Sequence, residues 1–499
     1  MNGKVYDEKV ERLFPAPSPP PTALSPQRFP GCNPESLKAV RHALMDNHTK
    51  YHIFWNDIKF HNHVTHRALA IYALGGSGPI IEAFYKQDIK VQRPAFVSPQ
   101  PITADNFVDH LNDENYYEGY TTFFVKSIEE KGVAATLEEV IFSEHYNFRP
   151  GRDAATQPEM LCRFVDAVMH PLIQCGHGVE FGLKGMVAEG LALAAVHGVH
   201  APGFLPPSLF AAQHGEDIKG LSNGFSSLVL NEWSPAANLE SASGRETHAF
   251  SILARVFKDP ALASKGPRLP FGQYPDTLVT RGDKIREHVQ DWTVDLSKPG
   301  EIERKMEECI WTASVIYAVG GWRNKSFTGD FFLMHMVTSS IFLPSLIAYL
   351  SPRAQVLLLR AYFTTVVTWW VTRGRPSLDF RSFLESTPTV PIPPNSPDVP
   401  PANIIPAQDA QSPNPFLPLI QSSIAHPSDH HPKIQRAFAH FSTIYGARPK
   451  GYFVGTELDG AEELDGSLFL RAAVLTADFM GWVREGEEAG AWGLDGFFL

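Results

Sequence analysis

Histidines gather at three places in this 499-residue chain, and imidazole serves both as a ligand for transition metals and as an acid–base group near neutral pH. The first place is the run Phe60-His61-Asn62-His63-Val64-Thr65-His66. Projected as a helix over residues 56–74 at about 100° per residue, it has a buried stripe of Phe60, Val64, Ala68 and Ile71. His63 falls about 60° to one side of Phe60 and His66 about 60° beyond it, which makes them i, i+3 neighbours about 5–6 Å apart at Cβ. Such a pair can share a metal ion. His61 falls about 100° to the opposite side and is expected to be structural.

The second place is His170-Pro171-Leu172-Ile173-Gln174-Cys175-Gly176-His177-Gly178-Val179-Glu180. Pro171 disfavours helical geometry at His170, which places that residue at a helix start with its side chain free. His177 and Glu180 follow at i, i+3, a nitrogen and a carboxylate better suited to a metal than to a nucleophilic triad. The third is Asp330-Phe331-Phe332-Leu333-Met334-His335-Met336, where a single imidazole sits in an apolar helix and needs a partner if buried. Non-haem iron sites gather such groups from separate helices.

The elements that must hold these residues are helical almost throughout. Asn33 reads as an N-cap with Pro34 at the first helical position, opening a helix to about His48. Others are expected near 56–74, 79–87, 104–110, 114–131, 136–143, 158–169, 171–197, 246–258, 300–319, 330–350, 353–373 and 467–485, with helix resuming at Ile434. Two proline-rich tracts interrupt them. Residues 15–30 read as an extended arm, and residues 384–432 as a disordered insertion or lid. The expected organisation is therefore a single large all-α domain: an arm over 1–30, a body over 31–383, the insertion over 384–432, and C-terminal helices over 433–499 completing the body.

Composition removes several function classes. A net charge of −11 gives no electrostatic footprint for nucleic acid or an anionic membrane. The four cysteines form no CxxC pair, which fits a reducing, cytoplasmic setting. The charged N-terminus has no apolar core of a secretory signal, so the mature chain is expected to begin near Met1. His335 and Pro344 interrupt the apolar stretch 331–350, and Arg360 interrupts 356–371, so both read as core helices rather than membrane spans. No GxGxxG follows a strand, and the Gly75-Gly76-Ser77-Gly78 run follows a helix instead.

In five blocks the chain resembles the questin oxidase-like family of fungal secondary metabolism. They are FHNHVTHRALAIYALG (60–75), HPLIQCGHGVEFGLKGMVAEGLA (170–192), DFFLMHMVTSSIFLP (330–344), VTRGRP (371–376) and LFLRAAVLTADFMGW (468–482). The resemblance implies an all-helical oxidoreductase that inserts oxygen into, or opens, polycyclic aromatic polyketides such as anthraquinones. Some members need NADPH and others hold a non-haem iron on several histidines. Positions matching family histidines are His61, His63, His66, His170 and His335. Two departures stand out: Gln174 and His177 replace an HPLIH and GYG pattern, and Tyr362 aligns with a modified lysine of some iron-binding relatives.

The expectation is thus an oxygenase in which His63, His66, His170 and His335, with His177 as alternate, hold a non-haem iron that activates dioxygen beside an aromatic polyketide. Glu180 and Tyr362 are the candidate acid–base groups. The alternatives are a metal-free, NADPH-dependent Baeyer–Villiger-type oxidase and a non-catalytic helical binding protein.

Overall fold

A computed structural model describes residues 6–200, 202–211, 247–263, 272–396 and 411–498. The molecule is all-α, as expected. Among the described residues the paired strands are β1, Trp322–Arg323, and β2, Ser326–Phe327, a two-residue antiparallel ribbon. No helix among them is long and apolar enough to cross a membrane.

The helices that build the site are α1, Pro34–Lys50; α2, Val64–Ala73; α3, Tyr117–Phe142; α4, His170–Phe181; α5, Lys184–Val196; α6, Glu301–Gly321; α7, Phe331–Ser340; α8, Pro352–Thr372; α9, Phe416–Ile424; α10, His431–Tyr445; and α11, Leu468–Met480. Asn33 caps α1 through a reciprocal bond with Ser36, and Pro34 lies in its first turn, as the residue types require. Helix α2 packs on α1 and α10, while α7 packs on α4, α6, α8 and α10. The long α4–α5 and α3–α5 contacts form the wall behind them. Their cores are leucine, alanine and aromatic side chains with almost no exposure, including Trp311, Trp370, Tyr317 and Tyr362.

Several expected helices are shorter or divided. The stretch expected as 56–74 is helical only from Val64, because two asparagine side chains hold the preceding backbone in turns. Asn56 Oδ1 accepts the Phe60 N–H at 2.9 Å, and Asn62 Oδ1 accepts that of Val64 at 3.1 Å. Phe54 bridges to His61, with Lys59 at φ +61° in the turn between them. The expected 171–197 helix divides into α4 and α5 at Gly182, whose φ of +69° ends the first. The 330–350 stretch ends α7 at Ser340 and resumes over Leu343–Ile347. Residues 104–110 form turns, and Gly132 kinks α3 at φ +86°.

Residues 15–30 hold no helix and lie along the body: the Ser18 N–H donates to Phe181 O at 2.9 Å and that of Phe29 to Ala73 O at 2.8 Å. The arm crosses the end of α2 where Gly31 and Gly75 meet backbone to backbone, leaving no space for a Cβ. The second proline-rich tract departs further from expectation. Residues 397–410 lie outside the described residues, but 411–432 carry α9 and lead directly into α10. Ile420 and Leu419 bury α9 against α10 and α11, and Asp429 and His430 then enter the site. Apolar residues between the prolines supply enough burial to order the segment.

Helix α7 is anchored at its start by Asp330. This carboxylate accepts the Phe332 and Leu333 N–H groups at 3.0 Å each and pairs with Arg373 at 2.8 Å, at 1% and 0% exposure. The pair joins the start of α7 to the end of α8, which sets the height of His335 in the bundle.

Candidate metal centre

Four separate segments bring imidazoles to one place. His61 and His63 come from the turn before α2, His170 from the first position of α4, His335 from α7, and His430 from the N-cap of α10. One ligand atom each of His61, His63 and His170 lies within 4.8 Å of the others, and the same holds for His63, Asp429 and His430. His63 is common to both sets. The His335 ring closes the group, with its centroid 4.9 Å from those of His170 and His430.

Hydrogen bonds set which nitrogen of each ring faces inward. The His170 Nδ1–H donates to Ala167 O at 2.6 Å and that of His335 to Phe331 O at 2.7 Å. His63 Nδ1 lies 2.7 Å from Asp429 Oδ2, the carboxylate contact that orients histidine ligands in many metal sites. In the neutral rings of His170 and His335 Nε2 is therefore left as a lone pair. His335 Nε2 is buried without a partner, and so are His61 Nε2 and His430 Nε2.

His63 Nε2 and His170 Nε2 stand 2.8 Å apart. Two lone pairs at that distance repel unless a proton or a cation lies between or beside them. A proton is disfavoured: burial lowers the proton affinity of His61, His63, His170 and His335, and pushes His430 down to about 3. A metal ion suits the spacing, since two nitrogens each about 2.1 Å from one ion at right angles lie about 3 Å apart. Burial alone would raise the Asp429 carboxyl, yet His430, Lys433 and His63 hold it well below the usual carboxylate range. Neutral imidazoles with one ionised carboxylate are a donor set for a divalent first-row ion.

The backbone before His170 is held in an uncommon shape. Ala167, Val168 and Met169 have φ of +50°, +53° and +65°, three consecutive non-glycine residues in the left-handed region. Such residues cost on the order of 1–3 kcal/mol each. The turn is secured by Asp166 Oδ1, which accepts the Ala167 N–H at 2.6 Å, and it aims Ala167 O at the His170 ring.

The structure brings some of the expected ligand residues together and not others. His63, His170 and His335 converge as anticipated. His66 is directed elsewhere: its Nε2–H donates to Gln174 Oε1 at 2.5 Å, Gln174 Nε2 donates to Glu189 Oε2 at 2.7 Å, and Glu189 Oε1 meets His48 Nδ1 at 2.6 Å. His177 stacks on His66 with centroids 4.8 Å apart and donates its Nδ1–H to Ile173 O. Glu180 is buried against Arg436, one turn beyond His177. The Tyr362 hydroxyl donates to Met336 O at 2.6 Å and lies 3.1 Å from Ser339 Oγ, tying α8 to α7 beside His335. Burial raises its phenol above the ordinary range.

His61 corrects a projection: with no helix beneath it, its ring turns inward and stacks on His170 at 3.8 Å. His430 and Asp429 were not anticipated. Their signal lay in Ser428-Asp429-His430-His431-Pro432, a proline-started helix like that at His170-Pro171.

A small cavity adjoins the centre between α2, α4, α7 and α10, with room for about one water-sized molecule. His177, Thr338, Lys433 and Arg436 line its polar side, and Ile173 and Phe342 its apolar side. Lys433, which burial pushes down to about 8, sits 3.6 Å from Asp429. The centre is open on the side of His63 and Asp429, whose side chains are 18% and 29% exposed, and there Phe331 and Trp492 flank His430 with centroids 5.1 and 6.4 Å away.

Comparison with known proteins covers most of these segments. A family model described as questin oxidase-like matches residues 60–438. The questin oxidase of Aspergillus terreus is 25% identical over 377 residues, 72% of this chain and 75% of the relative. A Baeyer–Villiger oxidase of Pestalotiopsis microspora is 26% identical over 356 residues, 69% and 72% of the two chains. A Baeyer–Villiger monooxygenase of Aspergillus aculeatus is 26% identical over 384 residues, 72% and 70%.

Proposed function

The chain belongs to the questin oxidase-like family and is an oxidative enzyme, and from that premise we propose that it is an oxygenase in which His63, His170 and His335, joined by His61 and His430 and oriented by Asp429, hold a non-haem iron. The reading is carried by one observation: two Nε2 atoms stand 2.8 Å apart, one on a ring whose Nδ1 proton is committed to Ala167 O and the other on a ring whose Nδ1 lies 2.7 Å from the Asp429 carboxylate. Zinc would satisfy the same nitrogens but supplies no redox chemistry. When bound, iron supplies the one-electron chemistry that no side chain offers.

The chain's own groups do the rest. Ala167 O, Phe331 O and Asp429 keep three rings in the ligating tautomer. The buried rings of His170 and His335 exclude water from the inner side. Phe331 and Trp492 offer flat apolar surface at the open side, suited to a polycyclic aromatic polyketide such as an anthraquinone.

Metal analysis with turnover of an anthraquinone-type substrate tests this. About one equivalent of iron per chain, with activity lost in chelator and regained on adding ferrous ion, is expected. Undiminished turnover in chelator by protein that holds no metal would overturn it. A second reading, a metal-free NADPH-dependent oxidase, draws on the Baeyer–Villiger names of the relatives. It requires one pyridine nucleotide oxidised per turnover.

A further inference from the structure

A row of imidazoles continues outward from the centre. The His61 ring, stacked at 3.8 Å on His170, faces His197 on its other side with centroids 5.5 Å apart and planes 22° from parallel. His197 is followed by His200 at 5.7 Å. His200 Nδ1 is 2.5 Å from Asp166 Oδ1, and the His200 side chain is 34% exposed while that of Asp166 is 4% exposed. The row therefore runs from solvent to His170 through His200, His197 and His61.

Packing alone does not call for this composition. Phe54 already supplies an aromatic wall to both His61 and His197, with centroids 5.7 and 6.0 Å away. Imidazoles in such positions lose hydration that phenyl rings never had. His61 Nε2 is buried with no partner, and the His197 Nδ1–H is committed to Gly198 O at 3.0 Å, which leaves its Nε2 as a lone pair.

We propose that His200, His197 and His61, with Asp166 at the outer end, form the route by which a divalent transition-metal ion reaches the centre. The inference rests on the metal-centre reading above. An ion held by two imidazoles spans about 4 Å between their nitrogens, and ring nitrogens lie about 1 Å from the centroid. Neighbouring rings 5.5–5.7 Å apart at their centroids can thus share one ion once they rotate so that their in-plane lone pairs converge. The ion exchanges one nitrogen for the next without being stripped of ligands, and no bond of the protein is broken. The buried Asp166 carboxylate fixes the His200 ring at the mouth and, with Nδ1 committed to it, leaves His200 Nε2 for the ion. It also begins the left-handed turn into His170, so the two ends of the route share one segment.

The test is the rate of metal uptake by the full-length apoprotein, followed by visible absorption on rapid mixing with cobalt(II). His197→Phe keeps the ring area and removes the ligand, and His200→Ala removes the outermost one. Uptake is expected to slow about tenfold or more in the first and about threefold in the second, with the final metal content unchanged. Thermal unfolding of the apo variants, equal to that of the unaltered chain, shows that the fold is intact. Equal uptake rates in His197→Phe and the unaltered protein would overturn the route while leaving the centre standing. A lower final content would overturn it too, by making His197 a ligand. Failure of the unaltered apoprotein to take up any metal would overturn the centre, and the route with it.

Discussion

His335 and His426 are each 1% exposed, yet they are completed in opposite ways. His426 uses both nitrogens: Nε2–H donates to Met480 O at 3.0 Å and Nδ1 accepts the Ser428 N–H at 3.0 Å. His52 does likewise, between Glu114 O at 3.2 Å and the Phe54 N–H at 3.1 Å. His335 uses one nitrogen and leaves the other buried without a partner, as His61 and His430 also do. Burial therefore does not separate a structural histidine from a ligand. Incomplete hydrogen bonding alone does not either, since His66 Nδ1 and His431 Nδ1 are also buried without partners; what marks the centre is that several unmatched nitrogens, each costing roughly 1–3 kcal/mol, meet around His63 and His170.

The comparison breaks most sharply at His170. His170→Gln should reduce bound iron to a small fraction of an equivalent and turnover by at least about a hundredfold, whereas His426→Gln should leave metal content intact and cost about 1–3 kcal/mol of stability. Elemental analysis and urea unfolding of the two variants side by side separate the classes. A smaller effect is expected at Asp429, which orients His63: Asp429→Asn should weaken metal binding by roughly 10–100-fold in competition with a chelator.

The smallest effect concerns the completed histidines. Burial pushes His52 and His440 down to about 4, so they stay neutral in the fold while the unfolded chain takes up protons below about pH 6.5. Each should remove up to about 1.4 kcal/mol of stability per pH unit as the pH falls from 6.5 towards 4, and little more below that. Asp88, raised to about 6 by burial, acts in the opposite sense over part of this range. The informative measurement is thus the difference between the unaltered protein and His52→Phe at pH 7, 6 and 5, where the variant should show the shallower loss.

Much of this was legible in local chemistry. Asn33 and Pro34 announced α1, and Pro171 announced the start of α4, although His170 itself is helical at φ −63°, ψ −38° and its buried ring is bonded to Ala167 O. The 3.6-residue period fails at His61 because the side chains of Asn56 and Asn62 bond the backbone more favourably as turns. His430 was hidden by its setting, since proline density suggested disorder while Leu419 and Ile420 supplied the burial that orders the segment. The Gln174 departure became intelligible only in three dimensions. It captures His66 in a chain to Glu189 and His48, whose members lie 108, 15 and 141 residues apart.

The two nitrogens facing each other at His63 and His170 belong to residues 107 positions apart. An ion binding both would act on the unfolded chain as a covalent cross-link does, closing a loop of about 100 residues, for which loop-closure entropy alone amounts to roughly 4–5 kcal/mol. With His335 and His430 added, that restriction extends over most of the chain. The centre would then decide how long the folded molecule survives as well as what it oxidises.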